Sequence, residues 1–213
     1  MKKLLSILLC LPMLGVCQKI QKNHTQEIKK DYNISEKSKG FDFNKSNRYG
    51  SSFKTNKGEY NTSINNGTSP YNSYFGAGLY DDNSYNEVTF SNSNSSDVIV
   101  CLENIYSGAT IRNEYIRKGS SYTMTKVPNG TYVVKVFYGN NWNPNKLLAG
   151  GKIKGGFDED ISFSISDDPS DYLTMNQHKT SEGTSYSVWS ITLYSVINGN
   201  MDQRPINVDT FFE

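Results

Sequence analysis

The chain has 213 residues, 22 of them Lys or Arg and 21 Asp or Glu, with 36% hydrophobic and 13% aromatic residues. This length fits one domain of ~100–200 residues with additional segments. The net charge of +1 excludes, for the chain as a whole, a strongly basic nucleic-acid-binding protein. Two histidines and three cysteines leave little material for a His/Cys metal centre.

The first residues have the pattern of a secretory signal peptide. Lys2 and Lys3 precede an apolar run from Leu4 to Leu14, and Gly15-Val16-Cys17 offers small residues before a cut at Gln18. The run is shorter than the ~20 residues needed to cross a bilayer. The sequence therefore predicts a signal peptide over residues 1–17 and export to the periplasm, the outer-membrane surface or the extracellular space.

Cys17 offers an alternative to simple cleavage. Leu14-Gly15-Val16-Cys17 is similar to a lipobox, although Val16 stands where a smaller residue is usual. Conventional cleavage is favoured, and Cys17 remains a candidate lipidation site that would anchor the protein through buried acyl chains. In either case Cys101 is the only free thiol of the mature chain, so no intramolecular disulfide is expected.

Residues 18–80 form a low-complexity leader rich in Asn, Ser, Lys and Tyr. The leader holds ten basic and five acidic residues and very few aliphatic ones. It cannot bury enough apolar surface to offset its ordering entropy, so we predict that it is largely disordered. Its scattered aromatics and basic residues suit either a tether or contact with an anionic polymer, and the low charge density favours the tether. Residues 69–80, dense in aromatics, are expected to cover an edge or face of the following domain.

From Asp81 onward the composition predicts an all-β fold. Short runs of β-branched and aromatic residues alternate with Gly- and Asn-containing turns. The predicted strands are Glu87–Ser91, Asp97–Ile105, Ala109–Arg117, Ser121–Lys126, Thr131–Tyr138, Ile161–Ile165 and Tyr186–Val196. One short helix is predicted in Asp168–Met175, where a capping residue precedes a proline. We therefore expect a single β-sandwich of about seven strands over residues 81–213.

Two resemblances follow from particular segments. Tyr122–Val136, with Val127-Pro128-Asn129-Gly130 before an alternating strand, resembles the hairpin of PEGA and carboxypeptidase-regulatory-like β-sandwich domains. Those domains are structural or binding modules, so the resemblance implies such a role. Six segments together resemble uncharacterised exported β-rich proteins of the Bacteroidota type: Met1–Gln18, Ile111–Ile116, Tyr138–Pro144, Gly155-Gly156-Phe157, Asn198–Met201 and Phe211-Phe212. That resemblance implies export to the envelope and no particular activity.

One loop offers a candidate binding face. Trp142 lies among asparagines between two predicted strands, and Tyr138 and Tyr115 are its expected neighbours. An exposed Trp flanked by amides suits sugar stacking or a protein partner. The alternative is a Trp that plugs the end of the sandwich and packs in the core. Tyr115, Tyr138 and Trp142 are the candidate binding residues.

Metal binding and catalysis have weaker candidates. The acidic residues around one strand offer a calcium site that matches no EF-hand spacing, with Asp158, Asp160, Asp168 and Asp171 as possible ligands. The sequence contains no nucleophile elbow, phosphate-binding loop or Cys–His pair. No catalytic residue, cofactor or firm metal site is therefore predicted.

These observations favour an exported non-enzymatic envelope protein that serves as an accessory or structural subunit of a cell-surface assembly. Its expected partner is an envelope or outer-membrane protein, with no nucleic acid and no membrane contact beyond a lipid anchor. The alternatives are a carbohydrate-binding surface protein that uses Trp142 and, more remotely, a secreted hydrolase that uses carboxylates among Asp158, Asp160 and Asp171.

Overall fold

A computed structural model describes residues 16–26, 64–194 and 201–213. The first fifteen residues of the predicted signal segment and residues 27–63 of the predicted leader lie outside the described residues. Val16 and Cys17, the last two residues of the predicted signal segment, begin the first strand.

Twelve strands in the described residues form two sheets of six. In chain order they are β1 (Val16–Gln26), β2 (Glu87–Ser91), β3 (Asp97–Asn104), β4 (Thr110–Ile116), β5 (Ser121–Met124), β6 (Gly130–Leu148), β7 (Ile153–Ser166), β8 (Leu173–Met175), β9 (His178–Lys179), β10 (Thr184–Thr192), β11 (Met201–Asp202) and β12 (Arg204–Pro205). The first sheet has the order β11-β1-β10-β2-β5, with β9 also paired to β10. The second has the order β12-β7-β6-β3-β4, with β8 paired to β6. The β2–β10 pair is parallel and the other pairs are antiparallel.

The predicted all-β sandwich is confirmed, and each of the seven predicted strands corresponds to a strand of the structure. The fold departs from the prediction in its strand number, since the described residues hold twelve strands instead of about seven, and in its helical part. Pro169–Asp171 form one 3₁₀ turn, in which the Asp168 side chain accepts a hydrogen bond from the Ser170 N–H. Leu173–Met175 then pair with β6 instead of continuing a helix. Two short α-helices lie elsewhere, α1 (Asn72–Phe75) and α2 (Val208–Phe212).

The central core lies between the two sheets. Along β2, β3, β6 and β10, alternate residues face inward, as the period of two requires. On the first sheet Val88, Phe90, Trp189 and Ile191 are buried against the second sheet. The Trp189 indole N–H also donates to the Thr174 carbonyl at 3.1 Å, which ties β10 to β8.

A second apolar cluster covers the outer face of the second sheet. This outer cluster combines residues of β3, β4, β6 and β7 with residues that precede β2 and residues of α2, namely Tyr71, Ile99, Cys101, Tyr115, Phe137, Trp142, Ile153, Phe157, Phe211 and Phe212. Tyr71 packs edge-on against Phe212 at 4.9 Å between ring centroids, and its N–H donates to the Asn113 side chain at 2.8 Å. The second sheet is therefore buried on both faces, and residues 64–80, before the predicted domain boundary at Asp81, form part of its cover.

The β6–β7 hairpin extends beyond the sandwich and carries part of the outer cluster. β6 pairs with β3 as far as Gly139, opposite Asp97, and then continues with β7 through the Trp142–Phe157 pair. At Gly139 an added Cβ would lie 2.3 Å from the Cβ of Phe157. The absent side chain is what lets the two strands approach here.

We expect Gly139→Ala to lower the free energy of unfolding by about 3 kcal/mol, the upper end of the range for an overpacked core, since the added methyl group would meet the Cβ of Phe157. Urea denaturation of the variant and the wild type measures the change. Gly108→Ala is the control, because that site has open space around it and only a left-handed φ of 67°; it should cost about 1 kcal/mol. Equal losses at both sites would contradict the close packing at Gly139.

No helix among the described residues has the length and apolar character needed to cross a membrane.

Candidate functional site

The three predicted binding residues do not share one exposed face. Tyr115 is 2% exposed and Trp142 is 6% exposed, and their rings meet edge-on in the outer cluster at 5.9 Å. The Tyr115 hydroxyl donates to Asp97 at 2.5 Å. Tyr138 lies on the opposite face of β6, packed against the central core, with its hydroxyl donating to the Leu193 carbonyl at 3.0 Å. Tyr138 and Trp142 are four positions apart and would share one face of a regular strand, but the register shift between Tyr138 and Asn140 places Trp142 in the outer cluster. Trp142 is therefore packed, as the alternative interpretation of this residue expected.

The four acidic candidates for calcium are engaged in separate local contacts. Asp158 accepts from Asn143, and Asp160 accepts from Asn140. Asp168 caps the 3₁₀ turn, and the buried Asp171 accepts from the Asp202 N–H at 2.9 Å. Across residues 64–194 and 201–213, no group of three or more His, Cys, Asp or Glu residues is arranged to hold a metal ion.

Cys101, the thiol expected in the mature chain, is fully buried in the outer cluster. Burial raises the pKa of its thiol well above the ordinary value, and the neighbouring Glu114 acts in the same direction. Because the thiolate is the nucleophilic form, Cys101 serves as a small apolar core residue.

A buried ion pair on β4 was not predicted from the sequence. Arg112 and Glu114, 2% and 1% exposed, lie on one face of β4, with Arg112 Nε 2.5 Å from Glu114 Oε1. The guanidinium also donates to the Thr125 carbonyl at 3.0 Å and lies 4.0 Å from the centroid of the Tyr80 ring. Among the described residues no donor lies within hydrogen-bonding distance of the other carboxylate oxygen, Oε2. The available sequence signal was a pair of opposite charges two positions apart in one strand.

Burial raises the pKa of the Glu114 carboxyl above its usual range, although the adjacent Arg112 acts in the opposite direction. The folded state therefore holds the proton more tightly than the unfolded state, where the pKa is ~4.3. Stability contributed by Glu114 is fully present below the unfolded pKa and is lost as the pH rises through the raised folded pKa.

We expect the stability difference, the free energy of unfolding of the wild type minus that of Glu114→Gln, to fall as the pH is raised from below ~4.3 to neutral. Glutamine does not titrate, so this variant removes the contribution of the carboxyl group. Urea titrations of both proteins across this range measure the difference. Glu182→Gln is a control at an exposed bend and should leave the wild-type pH dependence in place. A constant difference between the wild type and Glu114→Gln would show that the buried carboxyl does not titrate as inferred.

The candidate functional site is the edge of the first sheet where β1 pairs. Residues 18–26 pair with β10 over nine positions, from Gln18 opposite Thr192 to Gln26 opposite Thr184. Val16 and Cys17 pair with Asp202 and Met201 of β11. β1 therefore lies between β10 and β11, two strands that follow each other in the chain.

This edge adjoins the central core. Trp189, Ile191 and Leu193, at the strand beside β1, are buried, as is Met201 of β11. The other side of β10 pairs with β2 at Val188–Thr192. Without β1, the backbone groups of β10 that face β11 would have no strand partner, and an unpaired edge is a template for another strand. We call this edge of β10, which residues 18–26 cover, the β1 slot.

The charges of the two partners at the slot are opposite in sign. Residues 18–26 contain Lys19 and Lys22 and no acidic residue, whereas residues 81–213 contain ten basic and sixteen acidic residues, a net charge of −6. This difference favours association of the segment with the domain, and salt would weaken it. Sequence reasoning missed β1 because a run of Gln, Lys, Asn and Thr has no apolar alternation.

Other proteins do not supply a function for this site. No protein-family model, curated protein or solved structure matches the chain. The function is therefore inferred from the geometry of the β1 slot and from the sequence.

Proposed function

We propose that the protein is an exported, non-enzymatic accessory or structural subunit of a cell-surface protein assembly, joined to its partners through sheet edges. The observation that carries this proposal is the β1 slot, an edge of β10 that a segment from a distant part of the chain pairs with over nine positions. Strand addition to a sheet edge is a general mode of protein association in which main-chain hydrogen bonds supply the affinity.

The side chains that the sequence offered for other functions have structural roles, which favours this proposal over its alternatives. The carbohydrate-binding alternative depended on an exposed Trp142, which is buried against Tyr115 and Phe157. The hydrolase alternative depended in part on Asp171, whose carboxylate receives the Asp202 N–H. Export rests on the signal-like segment, and the expected partner remains an envelope or outer-membrane protein.

The test is affinity purification of the tagged protein from its own cell envelope, compared with the variant Ile20→Pro/Gln21→Pro. Successive N–H groups of a strand point to opposite edges, so one of the two prolines removes a donor that faces β10. We expect a stoichiometric partner with the wild type and its loss with the proline variant.

Ile20→Ala/Gln21→Ala is the matched control, since it keeps both N–H groups, and it should retain the partner. A thermal unfolding scan establishes that the proline variant is still folded. A wild-type chain that is purified alone would overturn the assembly proposal, and a saturable turnover of substrate by the purified chain would overturn its non-enzymatic part.

A further inference from the structure

We infer that residues 18–26 are an exchangeable strand, which fills the β1 slot of a second copy of this chain and so links copies on the cell surface. This inference rests on the proposed function and names the partner at the slot. The observations behind it are the topology of the first sheet, the length of chain between β1 and the domain, and the opposite charges of the strand and the domain.

The topology makes the slot independent of which copy supplies the strand. Residues 18–26 pair with β10, whereas the pairs with β11 are made by Val16 and Cys17, which precede the predicted cut at Gln18. β11 has a contact of its own with the domain, since the Asp202 N–H donates to Asp171. The nine-position ladder to β10 consists of backbone hydrogen bonds, so the same register forms with residues 18–26 of any copy. Exchange of an identical element between protomers replaces each internal contact with an equivalent one and costs little.

The connecting chain is long enough to reach a neighbour. Thirty-seven residues separate Gln26 from Ile64, which at ~3.5 Å per residue span up to ~130 Å when fully extended. A domain of ~150 residues has a radius of gyration of ~15 Å. The connection therefore allows the strand to reach its own slot or the slot of an adjacent copy.

Concentration decides between these two outcomes. A tethered segment competes for its own slot at an effective concentration in the mM range. Copies that are dilute in solution are therefore expected to fill their own slots. On a crowded surface, the strand of one copy competes for the slot of its neighbour. The positive strand and the negative domain add attraction between copies. The exchange is thus expected in the cell envelope.

The experiment is disulfide trapping between two differently tagged full-length chains expressed together in the native cells. One chain carries Ile20→Cys and the other Ser190→Cys, because Ile20 and Ser190 are direct cross-strand partners and Ser190 is exposed. Direct antiparallel partners lie ~4.5–5.5 Å apart between Cα atoms, within the ~4.4–6.8 Å that a disulfide requires. After mild oxidation, sequential capture on both tags isolates only dimers that contain one chain of each kind.

Two controls match this pair. Ser185→Cys replaces Ser190→Cys as an exposed β10 residue that pairs with Thr25 and not with Ile20. A Ser190→Cys chain expressed with the unsubstituted chain reports any reaction with the natural cysteines. We expect the Ile20/Ser190 dimer to exceed both controls by about tenfold or more, because only that pair meets the disulfide distance.

Each other outcome is decisive. A double variant with both cysteines in one chain that forms only an internal disulfide, with no dimer from the mixed pair, would overturn the exchange. The proposed function would still hold if a different protein co-purified with the wild type and was lost from the Ile20→Pro/Gln21→Pro variant. No disulfide in either format would show that the β1–β10 register does not form, and would overturn the exchange together with the observation behind the proposed function.

Discussion

Replacing Arg112 with methionine is expected to lower the free energy of unfolding at neutral pH by about 3–5 kcal/mol, since the change leaves the carboxylate of Glu114 buried without its partner. Both side chains are almost completely buried, and the guanidinium also binds the Thr125 carbonyl and stacks on Tyr80. Urea denaturation followed by circular dichroism measures the loss. The loss should shrink as the pH is lowered, because a protonated Glu114 no longer needs a cation.

The matched control is the double variant Arg112→Met/Glu114→Leu, which removes both charges. Because apolar replacements of a buried pair are often neutral or stabilising, the double variant should be more stable than Arg112→Met alone. Lys126→Ala, which breaks the exposed pair with Asp82, should change stability little. If Arg112→Met were no less stable than the double variant, an uncompensated carboxylate would not be the cause of the loss.

Trp142→Ala is expected to lower the free energy of unfolding by about 3–5 kcal/mol, the range for an aromatic residue deleted from a core. The indole contacts Tyr71, Tyr115 and Phe157 with ring centroids 6.2, 5.9 and 5.3 Å away. Its removal leaves a cavity under the β6–β7 hairpin, at the centre of the outer cluster. Thermal and urea unfolding measure the effect.

The Trp142→Ala variant distinguishes a packing role of Trp142 from a binding role. Tyr106→Ala is the control, because Tyr106 is 83% exposed and surface substitutions usually change stability by less than ~0.5 kcal/mol. A Trp142→Ala protein with an unchanged unfolding midpoint and lost glycan binding would contradict the packing role and restore the carbohydrate-binding alternative.

The outer cluster explains why the sequence placed the start of the folded domain too late, at Asp81. Tyr71 precedes the strands of the second sheet in the chain, Phe211 and Phe212 follow them, and each has polar residues beside it in the sequence. Their burial depends on the second sheet offering Ile99, Cys101 and Phe137 on its outer face. Composition assigned residues 18–80 to a leader and gave residues 69–80 as a cover for an edge or face of the domain. It could not identify that face, because local sequence does not show which distant surface a segment can cover.

The residues of the candidate site were also predicted only in part from the sequence. Tyr115, Tyr138 and Trp142 were proposed from the sequence as one binding face. Tyr115 and Trp142 meet in the buried outer cluster, and Tyr138 packs against the central core. Arg112 and Glu114 were unremarked because a polar pair in a strand ordinarily faces solvent. β1 was missed because its polar residues carry no strand period, and its strand conformation follows from pairing with β10.

By itself, the sequence determined the all-β class and the position of seven strands, since period-two alternation and turn residues are local signals. It also determined that Asp168 would cap a turn, because capping is a contact between residues two apart. The tertiary structure alone decided that β1 enters between β10 and β11, that the second sheet is covered on both faces, and that opposite charges are buried together on β4. These features depend on contacts between residues far apart in the chain, whose pairing is selected by the free energy of the whole packed domain.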